Sequence, residues 1–216
     1  MKELKAINEL TKEAYNKAAK KYYDMFYDEL DKKQYDKEFI DIYLSNLGKG
    51  SVILDAGCGP CGHIDKFVSC KGFEVIAIDI SEKCIEMARN NSPGIRFITM
   101  DFADMGFLDS SFDGIISYYS IIDTPKIYLG KVLNEFRRVL KKNGMLFLTV
   151  KSGDGEGFQK ELLGMKTQLY VSLFTEGELK NILESNDFEI TNLEKRKPYD
   201  DEINIDRLYT ICKKIN

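Results

Sequence analysis

The sequence predicts an α/β fold: a doubly wound, mainly parallel seven-stranded sheet with an antiparallel C-terminal strand, and N-terminal helices acting as a lid. Two observations predict it. After Ser51, short apolar runs alternate with helical stripes, and strands that alternate with helices build parallel sheets through crossover connections. The last two apolar runs are separated only by a polar loop, which suits an antiparallel pair. A chain of 216 residues, 44% of them hydrophobic, is long enough for one such domain and its core.

Residues 1–47 read as a helical cap. Ile7, Leu10, Ala14 and Ala18 recur at helical spacing with charge between them, and Tyr15, Tyr22, Tyr23, Phe26 and Tyr27 make the segment unusually aromatic. Gly48 and Gly50 punctuate the chain, and residues 48–216 read as the ligand-binding domain. Val52–Leu54 is a buried strand that reaches a turn at Asp55-Ala56-Gly57, and Ile64, Phe67 and Val68 share a helix face behind it. Phe73–Asp79 is the second strand, with Ser81 and Glu82 starting the next helix. Ile95–Met100 and Phe112–Ser117 are the third and fourth strands. Leu129, Val132, Leu133, Phe136 and Val139 stripe a long helix closed by Asn143-Gly144, and Met145–Val150 is the fifth strand. Lys151–Gly157 holds three glycines and is expected to be a mobile loop, part of a substrate lid over 151–174 that includes an extended piece from Gln168 to Phe174. Thr175 caps a helix with Glu178 at capping-box spacing, and strands follow near Phe188–Lys195 and Arg207–Lys213.

Charge and composition narrow the function. A net charge of −4 and a pI near 5.3 are not the footprint of a dedicated nucleic-acid binder. No run of 18 apolar residues is present, and the first ten residues have no apolar signal core, so no membrane partner is expected. Five cysteines, an odd set, do not form a secreted disulfide framework and point to a reducing cytoplasm. Cys70 and Cys84 are expected as small buried apolar groups.

Open α/β sheets bind ligands at the carboxyl ends of their strands, where strand order reverses. Four features fall there. Asp55 leads into the turn Gly57-Cys58-Gly59-Pro60-Cys61-Gly62, whose glycines let a ligand approach main-chain N–H groups. Asp79, followed by Ile80, can accept both hydroxyls of a ribose. Asp101 can accept from an exocyclic amine, with Phe102 against a purine face. Ser117, Tyr118, Tyr119 and Ser120 follow the fourth strand, beside where a second substrate would enter. Gly57, Gly59 and Gly62 also satisfy the dinucleotide spacing G-x-G-x-x-G, but an anion beside the turn disfavours a pyrophosphate and suits the cationic end of S-adenosylmethionine.

At these residues the sequence resembles the class I, Rossmann-like S-adenosylmethionine-dependent methyltransferases of small-molecule type. VILDAGCGP looks like the family's first motif, AIDIS its second, and MDFADMGFLDSSFDGIIS its third and fourth; LNEFRRVLKKNGMLFLTV resembles its helix and fifth strand, and the likeness extends more weakly to FTEGELKNILESNDFEI and RLYTICKK. The resemblance implies that Gly57 and Gly59, with Cys58 between them, line the cofactor's methionine portion. It implies that Asp55 orients the turn and the amino group, Asp79 binds the ribose, and Asp101 with Phe102 faces the adenine. Tyr22, within AAKKYY, resembles a tyrosine that reaches the cofactor carboxylate in some members. The family usually has glycine where Cys61 stands, which puts Gly62 in doubt as a contact.

The implied activity is methyl transfer from S-adenosylmethionine to a small-molecule acceptor, leaving S-adenosylhomocysteine. Transfer from a sulfonium is an in-line displacement that asks mainly for alignment and exclusion of water, so the catalytic residue stays unassigned. Tyr118 and Tyr119 are candidate substrate contacts, and Asp123 lies near the expected transfer point. Neither N-P-P-Y nor Pro-Cys follows the fourth strand, which argues against DNA adenine-N6 and cytosine-C5 chemistry. Two other readings stay open. One is a protein that binds S-adenosylmethionine without transferring its methyl. The other is a thiol–disulfide redox protein, since Cys58-Gly59-Pro60-Cys61 spells a C-x-x-C between strand and helix. His63 lies beside these cysteines, but no second ligand pair follows for a tetrahedral metal, so no metal is expected.

Overall fold

The computed structural model describes residues 2–215; residues 1 and 216, the outer limits of the expected cap and domain, lie outside the described residues. Polar and apolar periodicity sorts the chain into three N-terminal helices and an alternating body. The helices are α1 (Lys2–Phe26), α2 (Glu29–Lys32) and α3 (Gln34–Ser45). The body runs β1 (Val52–Ala56), α4 (His63–Cys70), β2 (Glu74–Asp79), α5 (Glu82–Asn91), β3 (Arg96–Thr99) and β4 (Phe112–Tyr118). It continues with α6 (Leu129–Val139), β5 (Leu140–Lys151), β6 (Glu156–Leu162), β7 (Met165–Ser172), α7 (Glu176–Glu184), β8 (Phe188–Arg196) and β9 (Arg207–Lys214).

Seven strands form one sheet in the order β3-β2-β1-β4-β5-β9-β8. Every neighbouring pair from β3 to β5 is parallel, and β9 runs antiparallel to both β5 and β8. The predicted fold class is therefore borne out, with β9 as the antiparallel strand. The chain winds outward from β1 to β3 and then returns to β4 beside β1, so the loops after β1 and β4 diverge and leave a crevice at their carboxyl ends. Burial on both faces explains why β1 and β4 read as continuous apolar runs. One face packs Leu54, Ile115, Leu146 and Leu148 on α6 and α7, and the other packs Ile53, Ile116 and Phe147 on α3 and α4. Gly114 in β4 is there for space. A Cβ would lie within 2.1 Å of the hydroxyl of Tyr43, which α3 drives into the core.

Several local expectations are corrected. The N-terminal segment is three helices, broken at Tyr27–Asp28 and Lys33. Helix α6 ends at Val139 rather than at Asn143-Gly144, because Leu140 already pairs with Phe112. Asn143 takes the positive φ of a turn inside β5. The glycine-rich segment after Lys151 is not a loop through Gly157. Gly153 and Gly155 turn the chain into a two-stranded hairpin, β6–β7, whose second strand lies against α1. Lys17 Nζ donates to the Lys166 carbonyl at 2.7 Å across that contact. Cys84 is buried as expected, but Cys70 ends α4 on the exposed surface.

Candidate active site

The crevice at the carboxyl ends of β1, β2, β3 and β4 is a partly open cavity, a concave site of the kind in which small ligands bind. Each strand end contributes. Gly57 and Gly59 come from the β1 turn, Asp79 and Ile80 from β2, Asp101 and Phe102 from β3, and Tyr118, Tyr119 and Ser120 from β4. Its wall is α1, through Asn8, Thr11, Tyr15 and Tyr22. A second cavity of about 340 Å³ shares Gly57, Gly59, Tyr22 and Tyr118 with the first, and adds Asp55, Cys58, Cys61, His63 and Glu29.

The turn after β1 is shaped by its backbone. Gly57 and Gly59 take φ of +91° and +63°, values an L side chain resists. A Cβ on Gly57 would collide with Ser120 Cβ at 2.3 Å, whereas one on Gly59 would meet only open space, the cradle a ligand needs. The Gly57 and Cys58 amides both donate to the Ile78 carbonyl, and Gly59 N–H donates to Asp79 Oδ2 at 2.9 Å. Asp79 thus holds the turn while facing the cavity. Ser81 N–H donates to its other oxygen at 2.8 Å, and burial lifts its carboxyl to about 6 against these two bonds. Gly62 lines neither cavity. It is the left-handed N-cap of α4, and a Cβ there would press on Ser92 Oγ at 2.8 Å.

Asp55 is buried, and its Oδ1 has no hydrogen-bond partner. Burial first, then the neighbouring Asp65 carboxyl, raises it well above the usual carboxylate range. Asp101 accepts from Ala103 N–H at 2.8 Å and from the Asn8 side-chain amide at 2.6 Å. Phe102 stands edge-on to Phe136, with centroids 6.0 Å apart. Among the two cysteines of the C-x-x-C, burial pushes Cys61 up to about 12 and Cys58 well above its ordinary value, the opposite of thiolate activation. Burial also depresses His63 to about 4, so its imidazole is neutral.

At the β4 end the hydroxyls turn inward. Tyr118 OH donates to the buried Asp36 at 2.8 Å, Tyr209 OH donates to the same carboxylate, and Tyr119 OH lies 3.3 Å from Tyr209 OH. Both site tyrosines therefore present rings to the cavity. Tyr119 is held at φ +57°, an uncommon backbone for a bulky residue, by its N–H to the Thr149 carbonyl. Next to them Asp123 accepts from Tyr15 OH at 2.7 Å, and burial lifts its carboxyl to about 7.

Nine of the ten expected cofactor residues line one or both cavities; Ser117 does not. Its buried Oγ sits behind Ser120, to which it is hydrogen-bonded at 2.6 Å, and Ser120 is the residue facing the ligand space. Asn8, Thr11, Tyr15 and Thr124 also line the main cavity and were missed. The signal existed for the helix. Positions 8, 11, 15 and 22 recur on one face, beside the apolar stripe at 7, 14 and 18.

Residues 53–144, which carry the first four strand ends, match the family model described as a methyltransferase domain. A malonyl-[acyl-carrier protein] O-methyltransferase of Pseudescherichia vulneris is 25% identical over 144 residues, 65% of this chain and 56% of that protein. The chain spans about half or less of the length of the curated relatives it matches. A SAM-dependent methyltransferase from Methanosarcina mazei has the same fold, with a TM-score of 0.72 and 24% identity over 81% of this chain and 97% of that one. So does the Burkholderia thailandensis 1,6-didemethyltoxoflavin-N1-methyltransferase, with a TM-score of 0.66 and 18% identity over 92% of this chain and 91% of that one; it was solved with 1,6-didemethyltoxoflavin and S-adenosylhomocysteine bound. No helix among the described residues is long and apolar enough to cross a membrane.

Proposed function

We propose that the chain is an S-adenosylmethionine-dependent methyltransferase acting on a small-molecule acceptor. The observation that carries this reading is the convergence of Asp55, Asp79 and Asp101-Phe102, from three successive strand ends, on two adjoining cavities. The residues present fit the cofactor. Gly59 leaves open space beside the turn, and Asp55 Oδ1 is an unpartnered anion-capable oxygen where a cationic amino group would sit. Asp79 offers its remaining lone pairs to ribose hydroxyls, and Asp101 and Phe102 receive the purine. Tyr22 borders both cavities and is assigned to the amino-acid end.

S-adenosylmethionine supplies an already activated methyl group, so the protein's own task is alignment and exclusion of water. The acceptor end is assigned to the rings of Tyr118 and Tyr119 and to Tyr15, Asp123 and Thr124, all lining the main cavity. Asp123 is placed to take a proton from an acceptor that must lose one, and Tyr15 holds its carboxyl in position. We assign α1 and the β6–β7 hairpin, tied together through Lys17, as the lid. Neither nucleic acid nor membrane enters this reading. Five free cysteines support a reducing, cytoplasmic setting for this reading.

Calorimetric titration with S-adenosylmethionine and S-adenosylhomocysteine tests the donor site, and absence of binding at millimolar concentration overturns the reading. Loss of Asp79 should raise the dissociation constant at least tenfold in Asp79→Ala, the weight of one or two hydrogen bonds to a charged group. Unchanged affinity refutes the ribose assignment. Incubating the protein with S-adenosylmethionine and a metabolite extract should yield S-adenosylhomocysteine; binding with no turnover would leave a non-catalytic binding protein.

A further inference from the structure

Asp65, which neither the strand-end pattern nor the resemblance singles out, lies in the first turn of α4 and is 1% exposed, against the 2% exposed Asp55. Both of its oxygens and Asp55 Oδ1 lack a hydrogen-bond partner, although the two carboxyls interact directly. The groups facing the pair supply no cation. They are the Tyr43 phenol from α3, Asp79 at the end of β2 and the Cys58 thiol of the turn. Glu29 and the neutral imidazole of His63 line the same cavity as Asp55. Two carboxylates cannot both stay ionised, side by side, in such surroundings without a positive partner. A shared proton supplies the O–H donor that the unpartnered oxygens lack.

We propose that Asp55 and Asp65 hold one proton between them in the free protein and release it when the donor's α-ammonium docks, which makes Asp65 a positioning residue for the cofactor's amino-acid end. The inference rests on the donor site proposed above. The bond broken is the shared carboxyl O–H, and its proton leaves to solvent. The ammonium keeps its three protons, and its positive charge offsets the second negative charge that appears on the pair. Burial raises both carboxyls in the free protein, and the neighbouring Asp65 raises Asp55 further, so raising the pH favours the ionised pair and tightens binding. The gain approaches tenfold per pH unit, on the order of one proton, while release is complete. Above about pH 8 it reverses, because the ligand's own α-amino group loses its charge.

The test needs no methyl acceptor. S-adenosylhomocysteine is titrated calorimetrically into the protein at pH 6.5, in phosphate and in imidazole buffer, whose ionisation heats differ. The difference in heat counts protons released, expected to be on the order of one. 5′-Deoxy-5′-methylthioadenosine, which has the nucleoside but no ammonium, should bind without that release. Asp65→Asn should bind S-adenosylhomocysteine with its buffer dependence and its pH slope largely lost. S-adenosylhomocysteine binding with no proton released overturns the proposal alone. Equal release by methylthioadenosine also overturns it, assigning the proton to Asp79. Should Asp65→Asn not fold, the two-ligand comparison on the wild-type protein still decides. No binding of S-adenosylhomocysteine at all overturns the methyltransferase reading with it.

Discussion

Gly57→Ala is the substitution whose cost the structure specifies best. The new Cβ would sit 2.3 Å from Ser120 Cβ and 3.0 Å from its Oγ, at a backbone φ of +91°. Carbon atoms rest at about 3.5–4.0 Å, so one of the two backbones must move by more than an ångström. Holding a non-glycine residue in the left-handed region costs about 1–3 kcal/mol. Overpacking a filled site costs about 1–3 kcal/mol more. The expected loss is therefore about 2–6 kcal/mol, a large part of a typical folding free energy of roughly 5–15 kcal/mol. Urea unfolding followed by far-UV circular dichroism should show the midpoint falling by about 1–3 M, for a slope of roughly 2 kcal/mol per molar. Ser120→Gly removes the atom struck, so a double-mutant cycle should return a coupling of about 1–3 kcal/mol while the φ penalty persists. A Gly57→Ala protein within about 0.5 kcal/mol of wild type, or a cycle with no coupling, would refute the close approach of the β1 turn to the β4 loop.

Three further outcomes are expected. Native-state alkylation at pH 7.5 should label the exposed Cys70 first and leave Cys58 and Cys61 slow, since burial holds both thiols protonated; fast labelling of either, read by peptide mass mapping, would revive a redox role. Burial opposes ionisation of Glu202, yet bonds from Arg196 and Lys33 hold its carboxyl near 2. Its contribution to stability is therefore full above the ordinary glutamate range near 4.3 and is lost as pH falls toward 2. Glu202→Gln should flatten the stability profile over that interval, and an unchanged profile counts against the pairing. Thr175→Ala removes a complete capping box from α7 and should cost about 1 kcal/mol in the same urea assay; no loss would mean that water replaces the cap.

The parts of the molecule legible in the sequence are those where one residue type has one physical use. Asp55, Asp79 and Asp101 were readable because an acid at the end of a buried apolar run has few other reasons to be there. The capping box at Thr175 was readable because its two reciprocal bonds have a fixed spacing. The hairpin was not. Glycines at 153, 155, 157 and 164 look alike in sequence, yet Gly153 and Gly155 enter the hairpin, Gly157 lies inside β6 and Gly164 turns its tip. Asp65 was hidden by its place on a helix, where an acid in the first turn ordinarily faces solvent and complements the dipole. Ser117 was misassigned for a different reason. Side chains alternate across a strand, and its Oγ falls behind Ser120, the residue three further on that the turn brings round to the cavity.

The wall contributed by α1 has a consequence for how such a protein changes over time. The seat proposed for the donor depends on backbone, on glycines with positive φ and on amides tied to Ile78 and Asp79, so a side chain added at Gly57 or Gly59 strains it. The facing wall depends on the side chains of Asn8, Thr11, Tyr15 and Tyr22, carried on a helix that would keep its shape if they were exchanged. One half of the crevice is therefore rigid to mutation and the other is free to drift. A lineage can redraw the pocket opposite the turn, residue by residue, and inherit the turn intact.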